Sequence, residues 1–253
     1  MPSIPVDVLL VILEHADKAT LVTMCKVNKV CCSCSQDVLY RGIQIYRPSK
    51  FQAYQTLAQS THLARRVRSL KIRCNSDDPN IHGAFQNMIN LRRLSLHHYF
   101  DFNLLVGCTF MLNSFTCTSI LEFQLLHQFL LTQPSLTNLS LEIYSNIDDW
   151  PEFGAACLPN LTRVTTQFSK LSQLIPNRPV KEVTSLGCYG DPDDLSFFTL
   201  STSPIQKIKI KIMDLYPKSG QYLASIFPSV TFLTIDASYH GELIVCEPHF
   251  LLQ

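Results

Sequence analysis

The chain opens on a compact apolar run, Val8 to Leu13, after which apolar residues recur at steps of three and four. Pro5 followed by Asp7, Val8, Leu9, Val11, Ile12 and Leu13 is the order of a proline-started helix with an apolar face. After a break at Ala16 and Asp17, the positions Leu21, Met24, Cys25, Val27 and Val30 predict a second helix, with Asp17 or Thr20 as its N-cap. A third stretch reads as helical from roughly Cys31 to Tyr40. Arg47-Pro48-Ser49 is a boundary signal, because a residue before proline disfavours helix and Ser49 can cap the next one.

Beyond that boundary the rhythm changes to a short L-x-x-L-x-L element. Its copies start at Val67, Leu91, Leu136, Leu161, Val180, Ile205 and Val230, and a degenerate copy starts at Leu112. The last two apolar positions of each copy lie two apart, so they share one face of a short strand and can stack on the neighbouring copy. Apolar runs between copies, such as Leu121, Leu125, Leu126, Phe129 and Leu130, or Tyr222, Leu223, Ile226 and Phe227, read as covering helices. Prolines at Pro134, Pro159 and Pro228 stop the preceding helix and return the chain to extended geometry. Eight units of about 20 to 29 residues fit the period of leucine-rich repeats, which predicts a solenoid with a curved parallel sheet. The expected fold class is therefore α/β, an all-helical module over 1–47 followed by an irregular leucine-rich-repeat-like solenoid over 48–253.

Composition narrows the function classes. Of 253 residues, 46% are hydrophobic and 16% charged, too apolar for a disordered chain. No segment approaches the roughly 18 continuous apolar residues of a membrane span, so no membrane association is expected. Lys and Arg total 21 against 20 Asp and Glu, so no net field draws in nucleic acid, and electrostatic function must be local. The Val8–Leu13 run is short for a secretory leader and follows Asp7 rather than basic residues. Ten scattered cysteines then read as free thiols of the cytosol or nucleus, and Asn138-Leu-Ser and Asn160-Leu-Thr as chance sequons.

Chemistry-bearing groups are sparse. Cys25, Cys31, Cys32 and Cys34 form the only tight cysteine group, but C-C-x-C on a helix cannot converge four tetrahedral ligands. The remaining cysteines fall largely in or beside repeat strands, where a small hydrophobe suits the inner ladder. His97-His98 beside Asp101 is the densest catalytic candidate, with no G-x-S-x-G, H-E-x-x-H, P-loop or dinucleotide fingerprint to complete it. Asp191, Asp193 and Asp194 read as a turn leading into an acidic helix start rather than a calcium loop. The expectation is a non-enzyme with no catalytic residue, no metal, no cofactor and no small-molecule substrate.

The N-terminal helices resemble an F-box. Ile4-Pro5 stands at that family's Leu-Pro opening; Val8, Ile12 and Leu13 supply its first helix; Ile12 to Asp17 resembles its I-x-x-x-L-D turn. Thr20-Leu21 begins the second helix, Val27-Asn28-Lys29 falls at its V-C-K, and Val38-Leu39-Tyr40-Arg41 is similar to the closing L-Y-R of fungal-type members. Cys31 and Cys32 depart from the family, standing where an aromatic and a basic residue are common. The resemblance implies docking on a Skp-type adaptor, and through it a cullin, with Ile4, Pro5, Val8, Ile12, Leu13, Leu21, Val27, Leu39 and Tyr40 facing the adaptor or packing behind that face. It implies the substrate-recognition subunit of an SCF-type ubiquitin ligase. A non-ligase protein-binding scaffold with a degenerate F-box is the alternative reading.

A client protein would then bind the exposed strand face, formed by the residues that alternate with the inner ladder. These are Lys71 and Arg73; Ser95 and His97; Asn138, Ser140 and Glu142; Arg163, Thr165 and Gln167; Glu182 and Thr184; Lys207, Lys209 and Lys211; Thr234 and Asp236. Lys71, Arg73, His97, Arg163, Lys207, Lys209 and Lys211 are the candidate client contacts, suited to an acidic or phosphorylated segment. Arg65, Arg66 and Arg68 add a second basic patch. The same residues serve equally as solvating charges on an open sheet, and without interleaved aromatics they do not read as a nucleic-acid surface.

Overall fold

The structure is a computed structural model, and it describes residues 4–46, 52–73, 78–97, 100–118, 120, 122–142, 152–154, 156–186, 195–211, 225–237 and 242–246. The signals at Arg47-Pro48-Ser49, Leu121, His98, Asp191 to Asp194 and Tyr222-Leu223 lie outside them. The fold is mixed α/β and divides into two compact units. The first contains residues 1–96 and 103–111; the second contains 97–102 and 112–253.

Unit one begins with three helices, α1 (Val6–Glu14), α2 (Lys18–Met24) and α3 (Lys29–Arg41). Pro5 is the N-cap of α1 rather than a residue of its first turn. Asp17 caps α2 by accepting the Thr20 amide at 2.7 Å, and Asn28 caps α3 by accepting the Cys31 amide at 2.9 Å. The third helix therefore starts two residues ahead of the predicted position, because the Asn28 cap and not the apolar pattern sets its end. Leu9, Leu13, Leu21, Cys31 and Cys34 form the core of this helical module, with Leu10, Met24, Val38 and Leu39 packed against it.

The unit continues through β1 (Gly42–Ile45), α4 (Gln52–Gln59), α5 (Thr61–Ala64), β2 (Ser69–Ile72), α6 (Ile81–Asn87) and β3 (Arg93–Leu96). The strands are parallel and in register, aligning Ile43, Leu70 and Leu94 in one row and Ile45, Ile72 and Leu96 in the next. Leu70, Leu94, Ile45, Ile72 and Leu96 are buried, as the repeat element requires. The repeat pattern does not announce β1. Its Ile43-Gln-Ile45 matches the element, but Tyr40 occupies the leading apolar position and belongs to α3.

Unit two carries β4 (Ser114–Thr118), α7 (Phe123–Leu131), β5 (Asn138–Glu142), β6 (Arg163–Thr166), α8 (Phe168–Leu174), β7 (Glu182–Ser185), β8 (Lys207–Lys211), β9 (Phe232–Ala237) and β10 (Glu242–Cys246). Strands β4 to β9 are parallel to their neighbours in chain order, and Phe115, Leu139, Val164, Val183, Ile208 and Leu233 align across them. All six are buried. The degenerate copy at Leu112 is thus a full strand, with Phe115 and Cys117 pointing inward. β10 turns back antiparallel onto β9, a second strand absent from the repeat pattern.

The backbone carbonyl just ahead of several strands takes two amides from the next copy. Thr162 and Arg163 both donate to Thr137 O at 2.9 Å, Lys181 and Glu182 to Thr162 O at 2.8 and 3.1 Å, and Gln206 and Lys207 to Lys181 O at 2.8 and 3.1 Å. In unit one Arg92 and Arg93 donate to Arg68 O at 2.9 and 3.0 Å. Side chains extend the pattern: Asn90 Nδ2 donates to Arg65 O at 2.8 Å and Asn160 Nδ2 to Pro134 O at 2.9 Å. These bonds hold the polar backbone at the strand starts, where a regular ladder has not yet begun.

The alternation sets a stability test. Leu139→Ala opens a cavity between Phe115 and Val164 and is expected to cost about 2–5 kcal/mol in urea denaturation. Ser140→Ala, one residue on and facing out, is expected to change stability by less than about 0.5 kcal/mol.

Candidate functional site

Two surfaces carry the candidate residues. On the helical module, Ile4, Val8, Ile12 and Val27 are 49–61% exposed, and Val6, Val11, Val22 and Val30 share that exposure at 48–58%. A folded module with its own core therefore still presents eight large aliphatic side chains to solvent. Pro5 is exposed, and Leu39 and Tyr40 are half-buried. Leu13 and Leu21 differ, at 2% and 3% exposed. They hold the helices together and are the members of the set that pack behind the surface. Val6, Val11, Val22 and Val30 are the members that sequence reasoning leaves out, although they fall beside the residues it selects.

The cysteine group resolves in the same way. Cys31 and Cys34 are buried among Leu9, Leu13 and Leu21, while Cys25 and Cys32 are half-buried. The departure at Cys31 thus lies inside the module, and only that at Cys32 reaches its surface. Among the described residues no three His, Cys, Asp or Glu side chains are grouped to hold a metal ion. No helix among them is long and apolar enough to cross a membrane.

On the open sheet face of unit one, Lys71 is half-buried and Arg73 exposed, its guanidinium 5.1 Å from the Tyr46 ring centroid. Arg65 and Arg68 are exposed. Arg66 instead donates to Ser33 O at 3.0 Å and to the Asp37 carboxylate, tying the chain after α5 to α3. In unit two, His97 is half-buried, and Arg163, Lys207 and Lys209 are exposed; the side chain of Lys211 is outside the described set. Register puts Glu182 between Arg163 and Lys207 on adjacent strands. Its carboxylate takes both, Arg163 Nε at 3.0 Å and Lys207 Nζ at 3.2 Å. The lysine stripe is thereby partly neutralised at its start. Gln167 and Thr234, expected on the exposed face, are buried: Gln167 turns the chain into α8, and Thr234 is a short side chain in an interior strand.

Sequence reasoning also misses Arg178, which is 1% exposed. All its donors meet backbone carbonyls: Nε to Cys157 O at 2.8 Å, one terminal nitrogen to Gln173 O and Pro176 O at 3.0 Å each, the other to Phe153 O and Gly154 O at 3.1 and 2.9 Å. Burial pushes the guanidinium pKa down, and the neighbouring Cys157 opposes that shift. No carboxylate among the described residues pairs with it, so the carbonyl dipoles carry the compensation. It pins Phe153, Gly154 and Cys157 to the turn after α8, next to buried Leu158 with its left-handed φ of 56°. An arginine amid Pro176-Asn-Arg-Pro179 carries no periodic signal, which is why the pattern does not single it out.

Comparison of the sequence with protein-family models finds no match, and comparison with curated proteins finds none.

Two measurements test this geometry. Arg178→Met strips donors from five carbonyls and is expected to destabilise unit two by on the order of 3–5 kcal/mol, read by urea denaturation. Burial pushes the Cys117 thiol up to about 12, so it should resist iodoacetamide at pH 8 until the chain unfolds, as peptide mass mapping would record.

Proposed function

We propose that the chain is a non-catalytic substrate receptor of an SCF-type ubiquitin ligase: its N-terminal helices dock on a Skp-type adaptor, and its repeat strands hold a client protein. The observation that carries this reading is the division of labour within α1–α3. Leu9, Leu13, Leu21, Cys31 and Cys34 close a small core, while Ile4, Val6, Val8, Val11, Ile12, Val22, Val27 and Val30 stay exposed. Solvent-facing aliphatics in such number cost solubility unless a partner covers them. The order of residues from Ile4-Pro5 to Leu39-Tyr40-Arg41, similar to an F-box, supports a Skp-type adaptor as that partner.

The chain's role in this scheme is positional. Covering an exposed aliphatic side chain contributes about 1.5–3 kcal/mol when burial is complete, so several together support a stable complex. A client held on the same assembly has its lysines at raised effective concentration near the conjugating enzyme, and the covalent chemistry belongs to that enzyme.

Co-expression with a Skp-type adaptor followed by size-exclusion chromatography tests the proposal. Ile12→Asp with Val27→Asp changes two surface positions and should leave helical circular dichroism intact while abolishing co-elution. Leu13→Asp is the wrong probe, since it breaks the module's own core. A folded wild-type chain that elutes alone at about 10 μM would remove the ligase reading and leave a protein-binding scaffold.

A further inference from the structure

The near-zero net charge conceals two opposite units. Unit one holds 13 Lys and Arg against 6 Asp and Glu, a formal +7; unit two holds 8 against 14, a formal −6. An anionic ligand is therefore drawn to unit one and repelled by the mean field of unit two. The lysine stripe on β8 is disfavoured as an anion site on that ground, and Glu182 already engages Lys207 and Arg163.

Unit one has an open sheet face with the opposite character. Register aligns Gly42, Ser69 and Arg93 in one row, and Gln44, Lys71 and Ser95 in the next, with Tyr46 and Arg73 just beyond the ends of β1 and β2. None of these eight residues is acidic. Arg93, Lys71 and Arg73 make no ion pair with a carboxylate among the described residues. Lys71 lies one strand over and two residues along from Arg93, about 7–8 Å diagonally, and Arg73 lies two residues further, about 6.6 Å. The three cations form a bent line with a spacing close to that of alternate residues in an extended peptide, about 6.6 Å.

We infer that Arg93, Lys71 and Arg73 bind an extended acidic segment of a protein partner, with carboxylate or phosphate groups on alternate residues meeting successive cations. The Ser69 hydroxyl flanks the line and suits the peptide's polar backbone, while the Gln44 side-chain oxygen already accepts the Tyr46 hydroxyl. Nucleic acid fits the face less well, because base stacking needs open aromatic rings and Tyr46 already lies under the Arg73 guanidinium. The inference rests on the client-holding role proposed above and names the chemistry of the client.

Fluorescence anisotropy on the full-length chain tests it, with three labelled probes: a twelve-residue peptide of alternating Glu and Thr, the same peptide with phosphoserine for Glu, and a twelve-nucleotide oligouridylate. The first two should bind at about 50 mM salt and weaken steeply by about 300 mM, as screening requires. Lys71→Glu with Arg93→Glu should weaken them by about tenfold or more, and the Gln double variant by less. Lys207→Glu with Lys209→Glu should change them less than about twofold, and the thermal melts of all variants should match wild type. No binding of either peptide at about 1 mM, equal loss from the Lys207 and Lys209 variant, or tighter binding of oligouridylate overturns the inference. Adaptor co-elution of the same variants is read separately, so loss of this site and loss of the receptor reading are distinguishable.

Discussion

The fold depends on one constraint: each copy of the short apolar element must meet its neighbour in register. A strand of four or five residues has little stability alone, and burial of one or two aliphatic side chains offsets only part of the entropy of ordering it. Stacking Leu139 on Phe115 and Val164, or Leu94 on Leu70, buries each residue against its equivalent in adjacent copies. A slip by one residue would expose the inner row of Leu and Ile and bury Lys71 or Lys207. That penalty is what lets sequence spacings ranging from 19 to 25 residues converge on a regular sheet.

Register in turn creates a polar problem at the strand starts, and the structure answers it with backbone rather than with charge. Single carbonyls, those of Arg68, Thr137, Thr162 and Lys181, each take two amides from the following copy. Around the positive φ of Leu158 and Asn177, Arg178 distributes its donors over five carbonyls. A buried guanidinium without a carboxylate is tolerated because every N–H has an acceptor and the positive charge faces carbonyl oxygens. The cost of irregular loops is thus met locally, by donors that lie off the outward strand positions.

That placement separates the working surfaces from the scaffold. The helical module keeps its core small and its aliphatic surface large. Charge is segregated by unit, so the cationic residues of unit one sit in a favourable field while similar residues of unit two are countered by Glu182 and by their surroundings. Identical residue types, lysine and arginine on outward strand positions, consequently differ in what they can bind.

The pattern of apolar positions by itself determined the parallel strands, because Leu70-x-Ile72 or Leu139-x-Leu141 can bury two side chains on one face only as strand. It determined the three N-terminal helices and the inward setting of Cys117 for the same periodic reason. Tertiary structure alone decided which apolar residues of the helical module are exposed: Val8 and Leu13 are both aliphatic in sequence, and only the packing of α1 against α3 buries one and exposes the other. It alone revealed β1 and β10, since a strand lacking the leading leucine, or one pairing antiparallel, is stabilised by its neighbour and not by its own period. And it alone gave Arg178 and the opposed charges of the two units their meaning, because a donor set and an electrostatic field depend on which distant residues the fold gathers around them.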